Sequence, residues 1–157
     1  KVLVIANEKL NTIKCINTRS NPPSVFQLHG NESVDYCREL KNEFPTIKLW
    51  KAFRLKSIYD LRNIPHYEKS VDAFLLDAWD DNSLGGTGNR IPIKFLKNIS
   101  FNIPWLLAGG ISAELIPEIF SNLKPDGIDA SSKLETSPGV KNLEKVESLV
   151  RTIRESN

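Results

Sequence analysis

Short apolar runs alternate with stretches of helical period along the whole chain, and this alternation limits the possible folds more than any other feature. Val2–Ala6, Val25–Leu28, Ile47–Ala52, Ala73–Leu76, Trp105–Ala108 and Gly127–Ala130 each read as a buried strand. Between them run helical stripes. Leu10, Ile13 and Ile16 form one face; Val34, Cys37, Leu40 and Phe44 form a second, opened by Asn31 or Ser33 as cap. Leu143, Val146, Leu149, Val150 and Ile153 form the clearest stripe. A weaker helix is expected between Leu55 and Tyr67, cut short by Pro65. Strand starts are separated by 23, 22, 26, 32 and 22 residues, with no linker-like segment between them. Such alternation predicts an α/β fold with a parallel sheet and right-handed crossovers. Two architectures fit the period: an open, flavodoxin-like sheet, and a (β/α)8 barrel. A complete barrel takes roughly 200 to 250 residues, so the second would here be incomplete, with six strands.

Composition narrows the function. The 157 residues, 40% hydrophobic and 25% charged, suit one domain spanning 1–157. A net charge of +2, with basic residues spread along the chain, gives no footprint for nucleic acid. No run approaches the roughly 18 apolar residues of a membrane span. The N-terminal run is too short for a signal peptide, and Cys15 and Cys37 lack metal-ligand spacing, so reduced thiols in a cytoplasm are expected. The chain contains no methionine and begins on an apolar run, which leads to the expectation of a fragment cut into a strand.

Polar residues interrupt this apolar pattern at the strand ends. An unsatisfied buried polar group costs roughly 1–3 kcal/mol, yet Gln27 and His29, Lys51, Asp77 and Asp129 each end a strand. Period-two alternation puts Gln27 and His29 on one face with Val25, and Asp77 with Ala73 and Leu75. Four strands thus offer polar groups at one end, the end where barrels and open sheets bind ligands. After Asp77 runs a long loop containing Gly85-Gly86-Thr87-Gly88, suited to covering a substrate. It matches neither the Walker nor the dinucleotide fingerprint. Gly109-Gly110 follows the fifth strand, with Ser112 as a helix start and Pro117 able to delay it. Ser131-Ser132 follows the sixth. Paired turns after the last two strands suit a phosphate and favour the barrel.

Gln27-Leu28-His29-Gly30, Leu75-Leu76-Asp77, Gly85-Gly86-Thr87-Gly88, Leu107-Ala108-Gly109-Gly110, Asp129-Ala130-Ser131-Ser132 and Ser137-Pro138-Gly139-Val140-Lys141 together resemble the phosphoribosylanthranilate isomerase family. The resemblance covers the whole chain, from that family's third strand to its C-terminal helix. It implies a TIM barrel and the Amadori rearrangement of N-(5-phosphoribosyl)anthranilate in tryptophan biosynthesis, with a small phosphoribosyl substrate and neither cofactor nor metal. By the resemblance Asp77 is the general acid, which requires a carboxyl raised above the usual aspartate range. Gln27, His29, Gly86 and Asp129 line the substrate, and Gly109, Gly110, Ser131 and Ser132 cradle the phosphate. Two family features have no counterpart here: a cysteine base in a Lys-x-Cys-Gly motif on the first strand, and an arginine on the second that meets the anthranilate. Cys15 and Cys37 fall on helical stripes and read as packed thiols, and the isolated chain is therefore expected to be inactive.

Other phosphosugar barrels fit less well. A ribulose-phosphate epimerase needs metal-ligating histidines, and His29 and His66 are too few. Indole-glycerol-phosphate synthase works with lysines, and one at a strand end, Lys51, is not enough. A non-catalytic phosphate-binding barrel fragment is the alternative from outside the enzymes. Oligomeric state is not legible in the sequence.

Overall fold

The computed structural model describes residues 1–17, 21–78 and 93–156. The strands are β1 (Val2–Ile5), β2 (Val25–Leu28), β3 (Lys48–Leu55), β4 (Ala73–Ala78), β5 (Trp105–Ala108) and β6 (Gly127–Ile128). They pair in sequential order β1-β2-β3-β4-β5-β6, every neighbour parallel. Sequential order is that of a barrel wall; a flavodoxin-like sheet would carry a strand out of turn. All six expected strands form, although β3 runs three residues beyond Ala52 and β6 stops two short of Ala130.

Among the described residues four α-helices accompany the sheet: α1 (Leu10–Asn17), α2 (Val34–Glu43), α3 (Ile116–Asn122) and α4 (Leu143–Ser156). Ser33 caps α2, its Oγ accepting from Tyr36 N at 3.2 Å. The segment before Pro65 is a 3-10 helix, Ile58–Tyr67. Pro117 delays α3 as anticipated: a single 3-10 turn, Ala113–Leu115, comes first, and the α-helix starts at Ile116 with the proline in its opening turn. On α4, Leu149 is buried and Val146 and Ile153 pack on the core, while Leu143 (78% exposed) and Val150 face outward, correcting the expected stripe.

The two faces of the sheet differ in kind. Phe26, Leu28, Leu49, Leu55, Phe74, Leu76, Trp105 and Leu107 point to one side, where they join Ile13, Leu40, Ile64, Ile116 and Leu149 from the helices. An edge-to-face chain of rings, Tyr67–Phe53–Phe74–Phe101–Trp105, knits β3, β4 and β5 on that side, with centroids 5.0–6.5 Å apart. The other face holds a small cluster of Ala52, Leu75 and Ala108 with Leu106. Its residues, by alternation, are those that continue upward to Gln27, Arg54 and Asp77.

Candidate active site

Gln27 and His29 rise from β2 as the period-two reading expects. The His29 N–H donates to Ile5 O at 2.8 Å, which carries the ladder one residue beyond the strand. Gln27 Nε2 lies 3.4 Å from His29 Nδ1, and His29 Nε2 lies 3.6 Å from Asp77 Oδ2. His29 must cross β3 to reach Asp77. Register places Ala52 at that level.

Asp129 stands two residues past Gly127, its N–H donating to Leu107 O at 2.9 Å. Burial pushes its carboxyl above the ordinary aspartate value and the charge of Asp77 pushes the same way, while His29 and Lys141 act against them. Asp77, His29 and Asp129 therefore share one electrostatic site at the C-terminal end of the sheet.

The two expected phosphate turns flank it. Gly109 and Gly110 both have positive φ, 95° and 59°, a pair of left-handed residues that side chains resist. Ser131 precedes the 3-10 turn Ser132–Leu134, and Lys141 Nζ holds it by its carbonyl (3.1 Å) and its Oγ (3.0 Å). Lys141 is placed there by an antiparallel hairpin, β7 (Glu135–Ser137) and β8 (Val140–Lys141). Gly139, with φ 82°, sits after Pro138, as a type II turn demands. One expectation is corrected: Gly109–Gly110 leads through one 3-10 turn into α3, whereas Ser131 leads into a 3-10 turn alone, with no α-helix behind its N–H donors.

Lys51 requires a larger correction. It shares parity with Leu49 and Phe53 and faces the helices, so it does not join the cleft. It is 3% exposed and paired with buried Glu32, Nζ to Oε2 at 3.1 Å. Burial pushes the Glu32 carboxyl up, but backbone N–H donors, chiefly Asn7 N, and the Lys51 ammonium outweigh it and hold the group below the usual glutamate value. Burial lowers the Lys51 ammonium in turn, and Glu32 opposes that shift. Alternation in Leu49-Trp50-Lys51-Ala52-Phe53 carried this signal; no sequence pattern marked Glu32 as its partner.

Arg54 was missed for a related reason. The expected strand ended at Ala52, whereas β3 continues and sets Arg54 in register with Asp77. Gly86 lies outside the described residues. Cys37 is buried on α2 with its thiol pushed up to about 11 by burial, while Cys15 on α1 is exposed, against the expectation that both are packed. Among the described residues no His, Cys, Asp and Glu side chains gather as a metal site, and no helix is long and apolar enough to cross a membrane.

Known proteins resemble the chain over this same architecture. A sequence model of the N-(5'phosphoribosyl)anthranilate (PRA) isomerase family matches residues 1–152. The N-(5'-phosphoribosyl)anthranilate isomerase of Crocosphaera subtropica is 39% identical over 154 residues, covering 98% of this chain and 73% of that protein. The crystal structure of phosphoribosyl anthranilate isomerase from Thermotoga maritima superimposes with a TM-score of 0.84 at 23% identity, covering 98% of this chain and 72% of that one. A phosphoribosyl anthranilate isomerase in complex with reduced 1-(o-carboxyphenylamino)-1-deoxyribulose 5-phosphate superimposes with a TM-score of 0.77 at 24% identity, covering 98% and 71%. By the family match and the level of identity together, the chain belongs to the N-(5'-phosphoribosyl)anthranilate isomerase family.

Proposed function

We propose that an isomerase carrying this sequence acts in tryptophan biosynthesis on N-(5'-phosphoribosyl)anthranilate, converting it to 1-(2-carboxyphenylamino)-1-deoxyribulose 5-phosphate by an Amadori rearrangement, and that these 157 residues alone are inactive. Asp77 gives its proton to the furanose ring oxygen as the C1'–O bond breaks. The substrate nitrogen's lone pair closes a C=N bond, a base that these 157 residues do not supply takes the C2' proton to give the enol, and tautomerisation gives the ketose. Gln27, His29 and Asp129 line the sugar, with Gly86 on the covering loop. The turns Gly109–Gly110 and Ser131–Ser132 take the phosphate, and Lys141 holds Ser131 in place for it. The thiols of Cys15 and Cys37 stand on helices and take no part. A cytoplasmic location accords with two cysteines that form no disulfide.

The observation that carries this reading is the 3.6 Å approach of His29 Nε2 to Asp77 Oδ2, at the end of the sheet that also bears the two turns. Titration with inorganic phosphate, followed residue by residue through amide chemical shifts, tests the anchoring half. The shifts should concentrate at 109–110 and 131–132. Changes confined to other surfaces would refute the assignment.

A further inference from the structure

We infer that the buried Lys51–Glu32 pair is a positioning device that sets His29 against Asp77. Burying two charges on the helix side of a sheet is an expensive way to fill space. Apolar side chains of similar volume often serve stability as well or better. The contacts show where these charges are spent. Lys51 Nζ donates to Leu28 O (3.4 Å), Gly30 O (2.8 Å) and Ala52 O (2.8 Å). The Glu32 carboxylate accepts from Gly30 N (3.1 and 3.2 Å) and from Asn7 N (2.8 Å). Leu28 O and Gly30 N belong to the two peptide units that flank His29, and Gly30 O to the next. Tyr67 OH, donating to Glu32 O at 3.1 Å, fixes the glutamate's own backbone. His29 therefore sits on a backbone held from below on both sides, with its imidazole between Gln27 and Asp77 above. The same contacts join the tops of β1, β2 and β3. Neither charge reaches the cleft, so any effect on the reaction passes through the backbone they hold.

The inference rests on the proposed function in its kinetic consequence alone; the geometric consequence can be read without turnover. The experiment compares Lys51→Met with Leu40→Ala, a core truncation on α2 remote from the cleft, at temperatures equally far below each melting point. His29 imidazole nitrogen and carbon resonances are recorded at fixed pH, and kcat and KM are measured in an active isomerase carrying this sequence. Lys51→Met should move the His29 resonances and lower kcat by about 10- to 100-fold, the scale of a small misplacement at a reacting centre, with KM much less affected. Leu40→Ala should do neither. Should Lys51→Met fail to fold, Glu32→Gln keeps the shape, removes the charge, and should give the same pattern. His29 resonances that move no more in the pair variants than in Leu40→Ala would overturn the inference. Resonances that move while kcat stays put would uphold the positioning and count instead against a role for His29 in the reaction.

Discussion

Replacing Gly30 by alanine tests how tightly the loop above β2 is built. The backbone at Gly30 is not left-handed, so conformation alone does not require glycine there. Space does. A Cβ at this position would lie 2.5 Å from Asn7 Oδ1, 2.6 Å from Asn7 Cγ and 2.7 Å from Glu32 Oε1. All three distances are well inside van der Waals contact, so both side chains must yield. Crowding of a packed site costs about 1–3 kcal/mol. Withdrawing the Glu32 carboxylate from Gly30 N or Asn7 N forfeits at least one charge-assisted hydrogen bond, about 1.5–3 kcal/mol more. The sum is about 2.5–6 kcal/mol, and its lower end alone moves the melting point of a domain this size by about 5–10 °C. Circular dichroism melts of Gly30→Ala would measure it. Asn7→Gly supplies the cross-check, because it deletes the two nearest atoms and suits the positive φ of 55° at that residue. The double variant should recover at least about 1 kcal/mol over additivity. A Gly30→Ala melt within a degree of the parent, or strictly additive costs, would refute the crowding argument.

Asp129→Asn removes a carboxyl that folding makes harder to ionise. A raised folded value means that the folded state binds the proton longer, so the native group weakens the protein as pH rises through that window. The variant should thus melt higher than the parent at pH 7, with the gain shrinking below the ordinary carboxylate range; a constant gain at all pH values would disprove the electrostatic cause. Phe74→Ala, at the centre of the ring chain between Phe53 (5.4 Å) and Phe101 (5.0 Å), should cost about 3–5 kcal/mol in denaturant midpoints, and a loss below 1 kcal/mol would contradict the packing described. Cys37, its thiol pushed up to about 11, should resist alkylation at pH 8 until the protein unfolds, whereas exposed Cys15 labels in the native state; mass spectrometry of the labelled peptides decides this.

The sheet was legible because its strands are short apolar runs at near-equal spacing, although β1 leaves Val2 and Val4 exposed, against the reading of a buried strand. Its end-of-strand chemistry was legible for the converse reason: Gln27, His29 and Asp77 are polar where the pattern demands otherwise. Lys51 broke that rule through its partner. A buried charge can stand on the apolar face when a second one 19 positions back in sequence neutralises it, and no local pattern encodes that pairing. Arg54 was hidden by strand length, since Phe53 and Leu55 extend β3 past the last residue of the obvious run. The turns proposed for the phosphate were visible as glycines and serines. That a 3-10 turn precedes α3 in one case depended on Pro117, and that a 3-10 turn stands alone in the other depended on the hairpin carrying Lys141.

The central claim is that Asp77 delivers the ring-opening proton. Steady-state kinetics of Asp77→Asn, in an active isomerase carrying this sequence, measures it through the fluorescence of the anthranilate substrate. An amide keeps the shape and the contact with His29 but has no acidic proton to give. Turnover should fall by about 10² to 10⁴, with KM changed far less, because the lost interaction belongs to the transition state. Turnover within a few-fold of the parent would contradict the account and move the proton to another group of the site.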